Sequence, residues 1–271
     1  MPDDFTGRKV VITGAAGVYG SELSHAFARA GAILCLSDLR GDALAALARD
    51  MALPGERLFI HVTDLTSEAS IRDLISTVTA AWQAPDIVIN NAGIYPFGGL
   101  LDIDVEFWDR VMATNLRAPF LIMQGFAKTM IAEGVKGCFV NVTSGAAEIL
   151  RTNGVPYCVS KRGLEYLSKG FALDLARDGI RVNCVRPGFA VGSALVDWPA
   201  GYVETMSLQN PMGRVTRQGD LTGAVMFLAS EAASYITGEF VSVDGGGSIP
   251  RRSGSATEVR RPSDRITGST G

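Results

Sequence analysis

Lys9-Val-Val-Ile-Thr13-Gly14-Ala-Ala-Gly17-Val-Tyr-Gly20, followed at Ile33 by Ile-Leu-Cys-Leu-Ser37-Asp38, decides the fold of this chain. The first five residues are a short apolar run that reads as a buried strand. Three glycines follow at Gly14, Gly17 and Gly20. From Tyr19 the apolar residues Leu23, Ala26, Phe27 and Ala30 recur at helical spacing, and Gly31 stops the pattern. A second apolar strand then ends at Asp38. Strand, glycine turn, helix, strand and acid, in that order, make a dinucleotide-binding βαβ unit. Glycines let the backbone approach a pyrophosphate, and the helix N-terminus offers N–H donors and a favourable dipole. Asp38 lies about 20 residues beyond the glycines, where a carboxylate accepts hydrogen bonds from a ribose hydroxyl.

The alternation continues outward from this unit. Strands are expected over 57–62, 86–90, 138–142, 181–185 and 240–243. Helical patterns cover 71–82, 107–131 (interrupted near Pro119), 157–176 and 221–230, while 194–208 reads as irregular. Strands separated by helices imply a parallel sheet covered on both faces. The expected fold is therefore α/β: a doubly wound, Rossmann-like parallel sheet of about seven strands in a single domain over 1–250. Ligands bind such sheets beyond the carboxyl ends of the strands. Gly14, Asp38, Asp64, Asn91, Ser144 and Pro187 all fall there.

A second constellation follows the strand at 138–142. Ser144 ends it, and Tyr157 and Lys161 open the next helix four residues apart, on one face. A phenol with a pKa near 10 is a poor base at neutral pH, and an adjacent ammonium favours the phenolate. Lowering it by roughly 3 units takes about 4 kcal/mol, within reach of a lysine together with a cationic cofactor ring. A hydroxyl, a phenol and an ammonium converging on one point make an acid–base catalyst for alcohol and carbonyl chemistry. The competing reading is a tyrosine and a lysine on a solvated helix face.

The bulk properties narrow the function. A net charge of −3 argues against a nucleic-acid surface. No apolar run reaches the length of a membrane span, and the N-terminus lacks a signal peptide's basic and apolar regions. The cytosol is the expected location, with neither membrane nor nucleic acid as partner. Cys35, Cys138, Cys158 and Cys184 have no metal-ligand spacing and read as buried thiols, so no metal is expected. His25 and His61 read as structural. Residues 251–271 carry five Arg among Gly and Ser and almost no large apolar side chain, which predicts a tail unable to form a core.

Taken together, Thr13-Gly14…Gly20, Asp38, Asp64, Asn90-Asn91-Ala92-Gly93, Asn115, Ser144, Tyr157-x-x-x-Lys161, Arg181-x-Asn183, Pro187-Gly188 and Thr237-Gly238…Asp244-Gly245-Gly246 resemble the short-chain dehydrogenase/reductase family over about residues 5–246. The resemblance implies hydride transfer between NAD or NADP and an alcohol or carbonyl compound, in a homotetramer or dimer. It implies Tyr157 as general acid/base. Lys161 would lower its pKa and hold the nicotinamide ribose, Ser144 would bind the substrate oxygen, and Asn115 would support a water relay. It places the cofactor against Gly14, Gly17, Val18, Tyr19, Gly20, Asp38 and Leu39. Asp64 and Leu65, with Asn91, Ala92 and Gly93, would flank the adenine and its ribose, and Pro187, Gly188, Ala190 and Val191 complete the set. Asp38 selects NAD over NADP in this reading. Two departures stand out: Val18 occupies a position where the family has glycine, and Gly192 one where it often has threonine, with Ser193 next.

The substrate wall is expected at Tyr95, Phe97, the loop 145–154 with Ala146, Leu150 and Arg151, Phe189, and the segment 194–208 with Trp198 and Tyr202, largely apolar and aromatic. Arg151 and Arg186 lie near it and suit a carboxylate or phosphate; the alternative is that each is solvated or paired with an internal acid. Three functional readings stay open: an NAD-dependent alcohol dehydrogenase or ketone reductase, a reductase of 3-oxoacyl thioesters on an acyl carrier, and a non-catalytic dinucleotide-binding scaffold or sensor.

Overall fold

The computed structural model describes residues 4–191 and 200–249. Seven strands form one parallel sheet: β1 (Lys9–Thr13), β2 (Ile33–Asp38), β3 (Leu58–Val62), β4 (Ile87–Asn90), β5 (Cys138–Val142), β6 (Arg181–Pro187) and β7 (Phe240–Val243), in the order β3-β2-β1-β4-β5-β6-β7. Between them run α1 (Val18–Arg29), α2 (Gly41–Met51), α3 (Glu68–Trp82), α4 (Val105–Met112), α5 (Ala118–Ala132), α6 (Val155–Leu175), α7 (Tyr202–Gln209) and α8 (Thr222–Ala229).

The strands are continuous apolar runs because both faces of the sheet are covered. Successive residues alternate between two cores, as the pleat requires. Val10, Ile12, Leu34, Leu36, Ile87 and Ile89 pack with Leu23 and Phe27 of α1 and Leu228 of α8. Their neighbours Val11, Cys35, Val88 and Phe139 pack with Leu74 of α3, Phe126 of α5 and Leu164 of α6. The strand order reverses between β1 and β4, which opens the crevice typical of doubly wound sheets. Asn91, just past β4, straps that crevice by donating from Nδ2 to the carbonyls of Thr13 and Gly14, each at 3.0 Å.

Several expected boundaries shift for visible reasons. β3 starts at Leu58 because Gly55–Arg57 form a 3-10 turn. That turn is held by the Arg57 guanidinium, which donates to the carbonyls of Ala28 and Ala32. α3 extends back to Glu68, its N-terminus capped by Ser67 Oγ accepting from Ser70 N. α6 starts at Val155, with Pro156 in its first turn. The 107–131 run breaks at a π-helical turn, Ala113–Arg117, rather than at Pro119, which sits in the first turn of α5 where its missing N–H is harmless. Part of the stretch read as irregular is a helix, α7. Residues 251–271, Trp198, Gly192 and Ser193 lie outside the described residues.

Among the described residues no helix is long and apolar enough to cross a membrane. No group of three or more His, Cys, Asp or Glu side chains there is arranged to hold a metal ion.

Candidate active site

Gly14 opens the turn after β1 with φ +62°, and a Cβ there would lie 2.7 Å from Ala92 Cα. Only glycine satisfies both demands. α1 begins one residue past its N-cap, Gly17, which is extended and has no side-chain cap; no acid occupies the first turn. The orphan N–H groups of that turn form an anion-binding end. Val18 is the first helical residue and has no positive φ, so the backbone at this departure does not require glycine. Gly20 differs from expectation. It does not line the cleft, and a Cβ on it would collide with the Gly14 carbonyl, so its task is to let α1 close onto the turn.

Every other residue expected to touch a dinucleotide lines one cleft of about 410 Å³: Gly14, Gly17, Val18, Tyr19, Asp38, Leu39, Asp64, Leu65, Asn91, Ala92, Gly93, Tyr157, Lys161, Pro187, Gly188, Ala190 and Val191. Asp38 is 7% exposed at the end of β2. Its carboxylate accepts from Ala16 N at 3.0 Å, Arg40 N at 3.0 Å and Arg40 Nε at 3.2 Å. It therefore ties the glycine turn to the start of α2 and also borders the cleft. Asp64 Oδ1 accepts from Thr66 N and Oγ1 at 2.8 and 2.7 Å. Arg40 and Arg110 also line the cleft. Neither belongs to the sequence set: Arg110 reaches the cleft from α4, far from the glycine turn in sequence. A cradle of close-approach glycine, uncapped helix N-terminus and buried acid fits a dinucleotide.

At the other end of the cleft the second constellation assembles. Ser144 follows β5 with extended backbone, 6% exposed, and its Oγ accepts from Ala146 N at 3.1 Å. Tyr157, in the first turn of α6, lies close enough to Ser144 for its hydroxyl to favour the phenolate. One turn on, Lys161 Nζ donates to the Val142 carbonyl at 2.9 Å, pinning α6 to the end of β5. That Nζ lies 5.8 Å from the Tyr157 ring centroid. Tyr95 meets Tyr157 edge-on at 6.0 Å between centroids. Asn115, fully buried in the π-helical turn, clamps Ile94: its Oδ1 accepts from Ile94 N at 2.9 Å and its Nδ2 donates to Ile94 O at 2.8 Å. Gly93 separates it from Lys161, for a Cβ there would sit 3.1 Å from Lys161 Nζ and 3.4 Å from Asn115 Oδ1. π-turns recur at functional sites because they re-aim one side chain within a helix.

In the protein alone, burial sets the electrostatics of this pair. Burial raises the Tyr157 pKa; the Ser144 hydroxyl and the Arg151 charge pull it down, and Tyr95 and Cys158 oppose them. Burial also lowers Lys161 from 10.5 to about 8. Desolvation disfavours the charged form of each group.

This predicts a measurable stability effect. Below pH 8 Lys161 is charged in both folded and unfolded chains, and the full cost of burying the charge, about 3 kcal/mol, is present. Between 8 and 10.5 only the unfolded chain binds the proton, so the cost fades as pH rises. Replacing the lysine forfeits its bond to Val142 O, a partial offset. Lys161→Met should therefore raise stability by about 1–2 kcal/mol at pH 7 and by markedly less at pH 10. Denaturant unfolding at both pH values measures it; equal or lower stability of the variant at pH 7 refutes it.

Beside Tyr157 a second cavity of about 740 Å³ opens. Phe97, Ala146, Arg151, Phe189 and Tyr202 line it as expected, and the Phe189 and Tyr202 rings meet edge-on at 5.5 Å. Leu150 does not line it and is 73% exposed. Met206 of α7 lies within the 194–208 stretch expected at this wall, whereas Gln209, just past it, was not expected; Asp244 and Ser248 also line the cavity, from the loop after β7. Arg186 lines neither cavity. It forms a buried two-pronged pair with Glu165, which also accepts from Thr143 Oγ1 at 3.2 Å. His25 contacts Asp50, and His61 contacts Asp73 and Thr63; neither histidine lines the cleft, although Thr63 does.

A family model described as enoyl-(acyl carrier protein) reductase matches residues 14–248. The chain is 34% identical over 247 residues to cis-4-hydroxycyclohexanecarboxylate dehydrogenase of Sinomonas cyclohexanicum, covering 91% of this chain and 98% of that one. The crystal structure of a short-chain type dehydrogenase/reductase from Mycobacterium marinum superposes with a TM-score of 0.85 at 33% identity, covering 91% and 98% of the two chains. A gluconate 5-dehydrogenase from Burkholderia cenocepacia J2315, solved in complex with NADP and tartrate, gives a TM-score of 0.84 at 33% identity over 92% and 99%.

Proposed function

The chain belongs to the short-chain dehydrogenase/reductase family and is an oxidoreductase, and from that premise we propose that it interconverts a secondary alcohol and a ketone with NAD(H). The observation that carries this reading is that Ser144, Tyr157 and Lys161 line the same cleft as the glycine turn and Asp38, and that this cleft shares Arg151, Gly188 and Phe189 with the larger cavity. Bound in the cleft, the nicotinamide would supply or accept the hydride. The phenol of Tyr157 gives a proton to the carbonyl oxygen during reduction and takes it back during oxidation. Ser144 donates to the same oxygen and holds it in line. Lys161 secures the cofactor end of the site, and Asn115 fixes the 93–95 segment against it. Asp38 receives the adenosine ribose hydroxyls, and the preference for NAD follows from its charge.

The reading extends to a cytosolic homodimer or homotetramer. The exposed Tyr166 and Leu173 on the outer face of α6, 82% and 79% accessible, support an assembly through that helix. The test is a panel of secondary alcohols and ketones with each dinucleotide, read by NADH or NADPH absorbance. Turnover of simple alcohols or ketones with NAD(H) supports the proposal, and no turnover of any member overturns it. A second reading, a 3-oxoacyl thioester reductase, is favoured by the acyl-carrier description of the matched family model. NADPH preference together with thioesters outperforming free ketones selects it. The full Ser144, Tyr157, Lys161 and Asn115 set argues against a non-catalytic scaffold.

A further inference from the structure

Arg151 stands at the lip shared by the two cavities and lines both. The other cations near this end of the site are occupied: Lys161 by the Val142 carbonyl and Arg186 by Glu165. Among the described residues, no carboxylate pairs with Arg151 and no hydrogen bond engages its guanidinium. Asp244, the acid lining the same cavity, is engaged by its own loop, accepting from Gly246 N at 2.9 Å and Ser248 N at 2.8 Å. Four residues after Arg151, α6 begins without a side-chain cap or an acid in its first turn. The positive end of its dipole therefore adds to the arginine charge. The combined field reaches the reacting group, for Arg151 acts on the Tyr157 phenol. A neutral ketone would leave this charge uncompensated beside the chemistry.

We propose that Arg151 is a specificity-determining residue that binds a carboxylate on the substrate, so that the substrate class is a hydroxy- or oxo-carboxylate. This rests on the alcohol–ketone reading of the site. A guanidinium meets a carboxylate in a two-pronged, charge-assisted geometry. One carboxylate balances one arginine, whereas a phosphate monoester brings about −1.5 to −2 charges to a cavity that already holds Asp244. A 740 Å³ cavity lined by Phe97, Phe189 and Tyr202 leaves room for an apolar body between the carboxylate and the carbinol.

The test compares each of two keto acids, 4-oxopentanoate and 4-acetylbenzoate, with its primary amide, a neutral counterpart of the same shape. The wild type should favour the acid by about 10–100-fold in kcat/KM, the scale of one charge-assisted hydrogen bond. Arg151→Gln should cut the acid-to-amide ratio to below about 3-fold, and Arg151→Lys, which keeps the charge but not the fork, should fall between. A general structural defect would lower both members and leave their ratio intact. Calorimetric titration of 4-acetylbenzoate and its amide into the NADH-bound proteins supplies a readout independent of turnover. Acid-selective binding that Arg151→Gln abolishes supports the proposal even where no probe is reduced, a result that would count against the alcohol–ketone reading alone. Turnover of acid and amide with equal efficiency overturns the carboxylate assignment and leaves that reading standing. Equal binding of the two, or acid selectivity that survives Arg151→Gln, also overturns it.

Discussion

Tyr157→Phe should lower kcat by at least roughly 10²-fold in both directions, the scale of a lost general acid/base. The ring stays packed edge-on against Tyr95, and only the hydroxyl beside Ser144 disappears. Stability should fall by no more than about 1 kcal/mol, the net worth of one hydrogen bond. Dinucleotide binding should persist, since the glycine turn and Asp38 are remote from the phenol. The wild-type pH profile carries a further sign. Burial dominates at Tyr157 and holds its phenol protonated beyond its ordinary range, despite Ser144 and Arg151. Oxidation needs the phenolate, so its kcat/KM should climb as pH rises into the alkaline range. Reduction needs the phenol and should be sustained at neutral pH. Lys161, lowered to about 8, loses its charge within the same climb, which should blunt the alkaline gain. Steady-state rates for both directions across pH check this. Wild-type turnover by Tyr157→Phe would remove the phenol from the mechanism.

The second large effect is cofactor choice, where the wild type should prefer NAD over NADP by about 100-fold in kcat/KM. A 2′-phosphate carries about −1.5 to −2 charges. Two like unit charges near 4 Å repel by about 4 kcal/mol at an effective dielectric of 20. Asp38 is 7% exposed, so solvent screens it little. Arg40, whose Nε sits 3.2 Å from the carboxylate, offsets part of the repulsion. A residual of roughly 3 kcal/mol corresponds to about 100-fold. Asp38→Ala should abolish most of that preference but also weaken NAD, because Ala16 N and Arg40 N lose their acceptor. Asp38→Asn keeps an acceptor and removes the charge, so it isolates the electrostatic contribution. Equal wild-type efficiency with both cofactors would overturn the role of Asp38. The gluconate 5-dehydrogenase solved with NADP shows that a chain 33% identical to this one is compatible with the phosphate.

Much of this was legible in the sequence because its signals are local. The glycine spacing, the acid at the end of β2 and the apolar runs follow from backbone sterics and burial, and they gave the fold and the cleft. Tyr157 and Lys161 were legible for the same reason, since four residues on a helix is one turn. Gly20 was assigned to the cofactor from its motif, but contact with the Gly14 carbonyl makes it a packing glycine. The helical period of α7 is too short and too mixed to stand out, so the stretch read as irregular and Gln209 went unseen in the cavity.

The sequence by itself determined the seven strands in chain order, the glycine turn after β1 and the one-turn spacing of Tyr157 and Lys161. Each depends on neighbours a few residues apart. Only the tertiary structure decided the fates of the two arginines. Arg186 and Arg151 look alike along the chain, yet α6 brings Glu165 against Arg186 and no described acid against Arg151. The tertiary structure also added the burial of Tyr157 and Lys161. Desolvation by the surrounding elements, which no spacing encodes, raises the phenol and lowers the lysine.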